Sequence, residues 1–121
     1  MSLRSGSTLL IVAFVLFLSA TAKAEMFTAY LTPAQEVPPA AGSTARGWAR
    51  VLVNEATGQL TFTVFFEGLT STQTASHIHA PAAIGVTVGV AINFGAVGGT
   101  SGTITGTTTI TPTQLSQLRQ H

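Results

Sequence analysis

The stretch Ala45-Arg46-Gly47-Trp48-Ala49-Arg50-Val51-Leu52-Val53-Asn54-Glu55-Ala56-Thr57-Gly58-Gln59-Leu60-Thr61-Phe62-Thr63-Val64-Phe65-Phe66 decides the fold class. Its first part sets Trp48, Arg50 and Leu52 against Gly47, Ala49, Val51 and Val53. Its last part sets Leu60, Phe62, Val64 and Phe66 against Thr61, Thr63 and Phe65. Successive side chains of a strand point to opposite faces, so a period of two with one apolar set marks a half-buried strand. The residues between, Asn54-Glu55-Ala56-Thr57-Gly58, end in glycine and have the composition of a hairpin loop. The segment reads as a β-hairpin, Ala45–Val53 returning through Gln59–Phe66. Trp48 and Arg50 share a face of the first strand, and the burial habits of Trp favour packing over ligand stacking for that face.

The same alternation continues outward. Toward the N-terminus, Phe27, Ala29 and Leu31 alternate with Thr28, Tyr30 and Thr32, giving a strand. It is separated from the hairpin by Thr32-Pro33-Ala34-Gln35-Glu36-Val37-Pro38-Pro39, whose paired prolines exclude a central strand. Toward the C-terminus, Thr74–His79 reads as a short strand stopped by Ala80-Pro81. Val86–Phe94 follows as a β-branched strand with Val86, Val88, Val90 and Ile92 on one face. Gly95, Gly98, Gly99 and Gly102 punctuate a flexible connection, and Thr103–Ile110 is a Thr-rich, half-exposed strand. Thr111-Pro112-Thr113-Gln114 then offers an N-cap, a proline at the first helical position and a capping-box glutamine, with Leu115 and Leu118 as the apolar edge of a short helix. Six strands spaced in this way predict an all-β domain, an antiparallel Greek-key sandwich or barrel, with one C-terminal helix.

Composition bounds the rest. The chain has 121 residues, enough for one domain, with 7% charged residues, a formal charge of +1 and no cysteine. Such a charge excludes an electrostatic nucleic-acid binder, and the 45% hydrophobic content argues against a disordered chain. The absence of cysteine removes disulfide frameworks, thiol nucleophiles and zinc ribbons. The apolar run Leu9–Ala20 follows Arg4 and precedes Ala22-Lys23-Ala24, the pattern of a secretory signal peptide over residues 1–24. The run is too short to span a bilayer as a helix, which takes about 20 residues. Cleavage after Ala24 leaves a domain of net charge −1, from three arginines and four glutamates, with no membrane span.

The one constellation with chemistry in it is His77-Ile78-His79. Residues i and i+2 of a strand lie on the same side about 7 Å apart, so both imidazoles can converge on one ion while Ile78 points to the core. Neutral imidazole suits copper, zinc, iron or nickel. Two ligands fall short of the three or four that a zinc site takes. By residue type, His121, Glu36 and Glu67 are the remaining candidates. The alternative is that both histidines hydrogen-bond backbone carbonyls at a loop mouth. Other catalytic readings are weaker. With no Asp and no Cys there is no Ser/His/Asp or Cys/His set, and no elbow motif supports a Ser/His/Glu set. The four glutamates are scattered, and Gly95-Ala96-Val97-Gly98-Gly99 opens no helix that would cradle a phosphate.

The segments Phe27-Thr28-Ala29-Tyr30-Leu31, Gln35-Glu36-Val37-Pro38-Pro39, Gly47, Phe66-Glu67-Gly68-Leu69 and His77-Ile78-His79-Ala80-Pro81-Ala82 occur in this order. Together they resemble the CHRD (chordin-type) domain over Met26–His121. The resemblance implies an immunoglobulin-like or superoxide-dismutase-like all-β domain that is secreted or periplasmic. It also implies a non-enzymatic binding or interaction module for an unknown extracellular protein or small ligand. Two departures stand out. The family has Gly where this chain has Ala80. The family also continues beyond the short helix with a Tyr-x-Asn-x-His segment and a Gly-Glu-Ile-Arg-Gly strand, so the chain is expected to be a C-terminally truncated domain lacking a third histidine. A fainter likeness, from Gly68-Leu69 to His77-Ile78-His79, is to copper/zinc superoxide dismutase. It makes copper the first metal to test, while the absence of that enzyme's remaining ligands and cysteines makes dismutase activity improbable. A redox enzyme would need ligands from beyond His121.

Overall fold

The computed structural model describes residues 23–80, 86 and 88–120; most of the signal-peptide segment (residues 1–22) and the candidate ligand His121 lie outside them. Six strands, a 3-10 turn and one helix form among the described residues: β1 (Ala24–Leu31), a 3-10 turn (Pro33–Gln35), β2 (Arg46–Asn54), β3 (Gln59–Glu67), β4 (His77–His79), β5 (Val90–Asn93), β6 (Gly102–Thr109) and α1 (Pro112–Leu118). Strands β1-β2-β3-β6 make one antiparallel sheet and β4-β5 a second, so the chain leaves the large sheet after β3 and returns beside it as β6. This is an all-β sandwich.

The hairpin β2–β3 pairs from Arg46↔Glu67 to Asn54↔Gln59, with the turn where the sequence places it. Asn54 Oδ1 accepts from the backbone N–H of Ala56 and Thr57, and Gly58 closes the turn with its N–H on Asn54 O at 2.8 Å. Gly58 has φ +69°, a conformation glycine adopts without the steric cost a Cβ carries.

The large sheet has one apolar face. Val51 and Val53 from β2, Leu60, Phe62, Val64 and Phe66 from β3, and Ile104 from β6 are buried on it, and Phe27 of β1 packs beside them. Ile92 of β5 is buried against this face, with Ile78 and Phe94 at the edge of the same cluster. The Phe62 and Phe94 rings stack with centroids 4.1 Å apart. Gly106, opposite Phe62 in the register, makes room for that stack: a Cβ there would stand 2.7 Å from the Phe62 ring.

Helix α1 closes one end of the core with Leu115 and Leu118. Its capping box forms as the sequence reads, Gln114 N–H donating to Thr111 Oγ1 and Thr111 N–H to Gln114 Oε1. Gln114 also donates from Nε2 to Ala91 O at 2.7 Å. Ala91 is the residue skipped when the β4–β5 register steps from Ile78↔Ile92 to His79↔Val90, a bulge whose free carbonyl the helix cap satisfies. Arg119, just past α1, reaches Glu25 of β1 at 2.7 Å and Glu55 of the hairpin turn at 3.1 Å.

Three expectations are corrected. Among the described residues of the strand read over Val86–Phe94, only Val90–Asn93 pair as a strand, and the bulge turns Val90 outward (52% exposed) while Ile92 stays buried. The strand read over Thr74–His79 contracts to His77–His79: Phe94 N–H to Ser76 O is the last bond in line with the β4–β5 register, and Gln73 N–H is turned to Gly99 O in the loop before β6. Trp48 does not pack inward. It lies on the opposite face from Val51 and Val53 and remains 43% exposed, against Phe65 alone among aromatic rings.

Gly106→Ala should lower stability by about 1–3 kcal/mol, since Phe62 is held by Phe94 and cannot yield; chemical denaturation measures it. The Arg119 hydrogen bond holds the Glu25 carboxyl below the usual carboxylate range. A depressed pKa contributes stability above the ordinary value and loses it as pH falls through the folded-state value. Glu25→Gln should therefore lower the melting temperature at neutral pH, and the gap from wild type should close on acidification below the usual carboxylate range.

Candidate functional site

One open cavity of about 430 Å³ lies over the end of the apolar face where β4–β5 meets the large sheet. The sheet contributes Leu31, Val64, Phe66 and Ile104, side chains that alternation directs inward, and Leu69 adds to the apolar lining. Polar residues line it from separate loops and strand ends: Glu36 from the turn after β1, Arg46 at the start of β2, Gln73 before β4, and His77 and His79 on β4.

His77 and His79 are exposed and Ile78 half-buried, the alternation that a strand dictates. Their rings pack edge to face with centroids 4.5 Å apart. His79 Nδ1 lies 2.7 Å from Val88 O, so this nitrogen carries the proton it donates and Nε2 is left as the acceptor. The structure therefore combines features of both readings: the two histidines share a side, and one of them bonds a backbone carbonyl. Glu36 lines the same cavity. Glu67 does not join them, because its carboxylate is paired with Arg46. Among the described residues no group of three or more His, Cys, Asp or Glu gathers where a metal could sit.

Gln73 is the residue that sequence reasoning passed over. Its side chain is buried, accepts from Val97 N–H at 2.9 Å and Gly98 N–H at 3.2 Å, and donates to Gly95 O at 3.3 Å. Its own N–H donates to Gly99 O at 2.8 Å. A single amide thus satisfies a glycine-rich loop that lacks a ladder of its own and fixes it beside the cavity. A lone Gln among Thr and Ser residues carries no pattern to announce this.

The family model described as CHRD domain matches residues 27–121. The chain belongs to the CHRD family. In this CHRD domain the segments that carried the likeness are far apart in sequence and meet at the cavity. Glu36 comes from the Gln-Glu-Val-Pro-Pro segment, Gly47 from the start of β2, Phe66 and Leu69 from the Phe-Glu-Gly-Leu segment, and both histidines from β4. Gly47 is buried there, and a Cβ would stand 2.3 Å from Phe65 O, so backbone contact admits no side chain at that position. Comparison with curated proteins and with solved structures gave no match. Among the described residues no helix is long and apolar enough to cross a membrane.

Proposed function

We propose that this CHRD domain is exported and works as a non-enzymatic binding module, with the cavity beside His77 and His79 as its ligand site. The observation that carries the reading is the convergence of the family's separate segments on one concave, mainly apolar cavity with a few polar groups, the usual build of a ligand site. The ligand chemistry this suits is a small apolar group with hydrogen-bonding periphery, from a protein side chain or a free small molecule. Arg46 and Glu67 neutralise each other, which leaves Glu36, Gln73 and the imidazoles to provide direction.

The competing reading is a copper or zinc site at His77 and His79, with Nε2 of His79 as its ligand atom. It needs ligands beyond the two imidazoles.

The test is a screen of peptides and small molecules by thermal shift, because a ligand that binds only the folded state raises the melting temperature. Hits should stabilise the wild type and lose their effect in Ala40→Trp and Ala75→Trp, which fill the cavity from its exposed margin. Hits indifferent to both substitutions, or turnover of any compound screened, would sink the proposal. Titration with copper(II) and zinc(II) decides the competing reading: equal affinity of wild type and the His77→Ala/His79→Ala double variant removes it.

A further inference from the structure

The large sheet has a second face, turned away from the core, whose composition is unusual for a surface. Tyr30, Trp48 and Phe65 are neighbours in the register of β1, β2 and β3 and form a row of three aromatic side chains across the strands. Tyr30 is 83% exposed, and the Trp48 and Phe65 rings lie 6.3 Å apart and within 23° of parallel. One hydrogen-bonded step further along the strands on this face comes a polar row, Thr28, Arg50 and Thr63. Adjacent strands are about 4.8 Å apart, so the aromatic row spans about 10 Å, the length of a disaccharide.

Charge selects the occupant. Arg46 and Arg119 are ion-paired, with Glu67 and with Glu25 and Glu55 respectively. Arg50 has no carboxylate partner among the described residues and is exposed between two threonine hydroxyls on neighbouring strands. A second copy laid face to face about a two-fold axis running along β2, through Trp48 and Arg50, would set cation against cation. A nucleic-acid strand can stack on such rings, but its successive phosphates call for several cations. A sugar ring offers polarised C–H groups to the negative face of an aromatic ring and hydroxyls to threonines. A carboxylate on that sugar matches the guanidinium. We infer that the outer face of the β1-β2-β3-β6 sheet binds acidic glycans, sugar rings lying on the Tyr30-Trp48-Phe65 row and a uronate carboxylate on Arg50. This surface is separate from the cavity, on the other side of the same sheet.

Trp48 is the only tryptophan in the chain, so its emission reports on this face directly. Titration with a galacturonate oligosaccharide should change that emission saturably. Arg50→Gln should weaken the affinity about tenfold, as should a neutral oligosaccharide of the same length, by loss of one charge-assisted hydrogen bond. Tyr30→Ala, a change at an almost free side chain, should also weaken it without altering the melting temperature. Any of four results overturns the inference: no saturable change, equal affinity of the Arg50→Gln and Tyr30→Ala proteins with wild type, equal affinity for the neutral sugar, or tighter binding of a single-stranded oligonucleotide.

Discussion

Strand β3 is hydrogen-bonded on both sides, to β2 and to β6, and every second residue along it, Leu60, Phe62, Val64 and Phe66, is buried. Everything else in the domain is arranged around that row. Leu60 and Val53 are fully enclosed beside the helix end, where Leu115 and Leu118 close the core. Phe62 anchors the small sheet through Phe94, and Gly106 leaves the space that lets it do so. Val64 and Phe66, at the far end, are buried as well and contribute to the lining of the cavity. One apolar row thus runs from the end of the core closed by α1 to the lining of the cavity.

Polar side chains with several hydrogen-bonding groups do the joining between layers. Gln114 completes a helix cap and satisfies the bulge carbonyl of Ala91, which ties α1 to the strand that pairs with the histidines. Gln73 holds the glycine-rich loop on the other side of the cavity. Among the described residues no buried side-chain nitrogen or oxygen is left without a partner. In a domain without disulfides, these amides take over a small part of the cross-linking that cystines would provide, and they do so at the margins of the site, where the sheet ladders end.

The two faces of the large sheet divide the chemistry of the chain. The inner face ends in an open cavity lined by polar residues from four separate segments. The outer face carries an aromatic row beside Arg50, which has no carboxylate partner among the described residues, and two threonines. Family membership explains the first arrangement better than the second, since the segments that mark the family all lead to the cavity.

Local sequence determined the strands, the Asn54–Gly58 turn and the Thr111 cap, because each rests on interactions a few residues long: alternation, a glycine at positive φ, a hydroxyl and an amide three residues apart. It also determined that His77 and His79 share a side, since a strand permits nothing else. The same Thr-Pro-x-Gln pattern occurs twice, however, and gives a single 3-10 turn at Pro33–Gln35 but a helix at Pro112–Leu118. Beyond Gln114, Leu115 and Leu118 find a core to enter; beyond Gln35 the chain meets Val37-Pro38-Pro39 and has none. Only the tertiary structure decided which face of β2 is the inner one, and so turned Trp48 outward: parity groups Trp48 with Arg50, but the packing of Val51 and Val53 against β3 and α1 fixes the side. It alone decided how much of β4 and β5 pairs among the described residues, and it placed the bulge at Ala91. It alone assembled the site, because Glu36, Gln73 and His77 are brought together by sheet register and loop closure, which no short window of sequence contains.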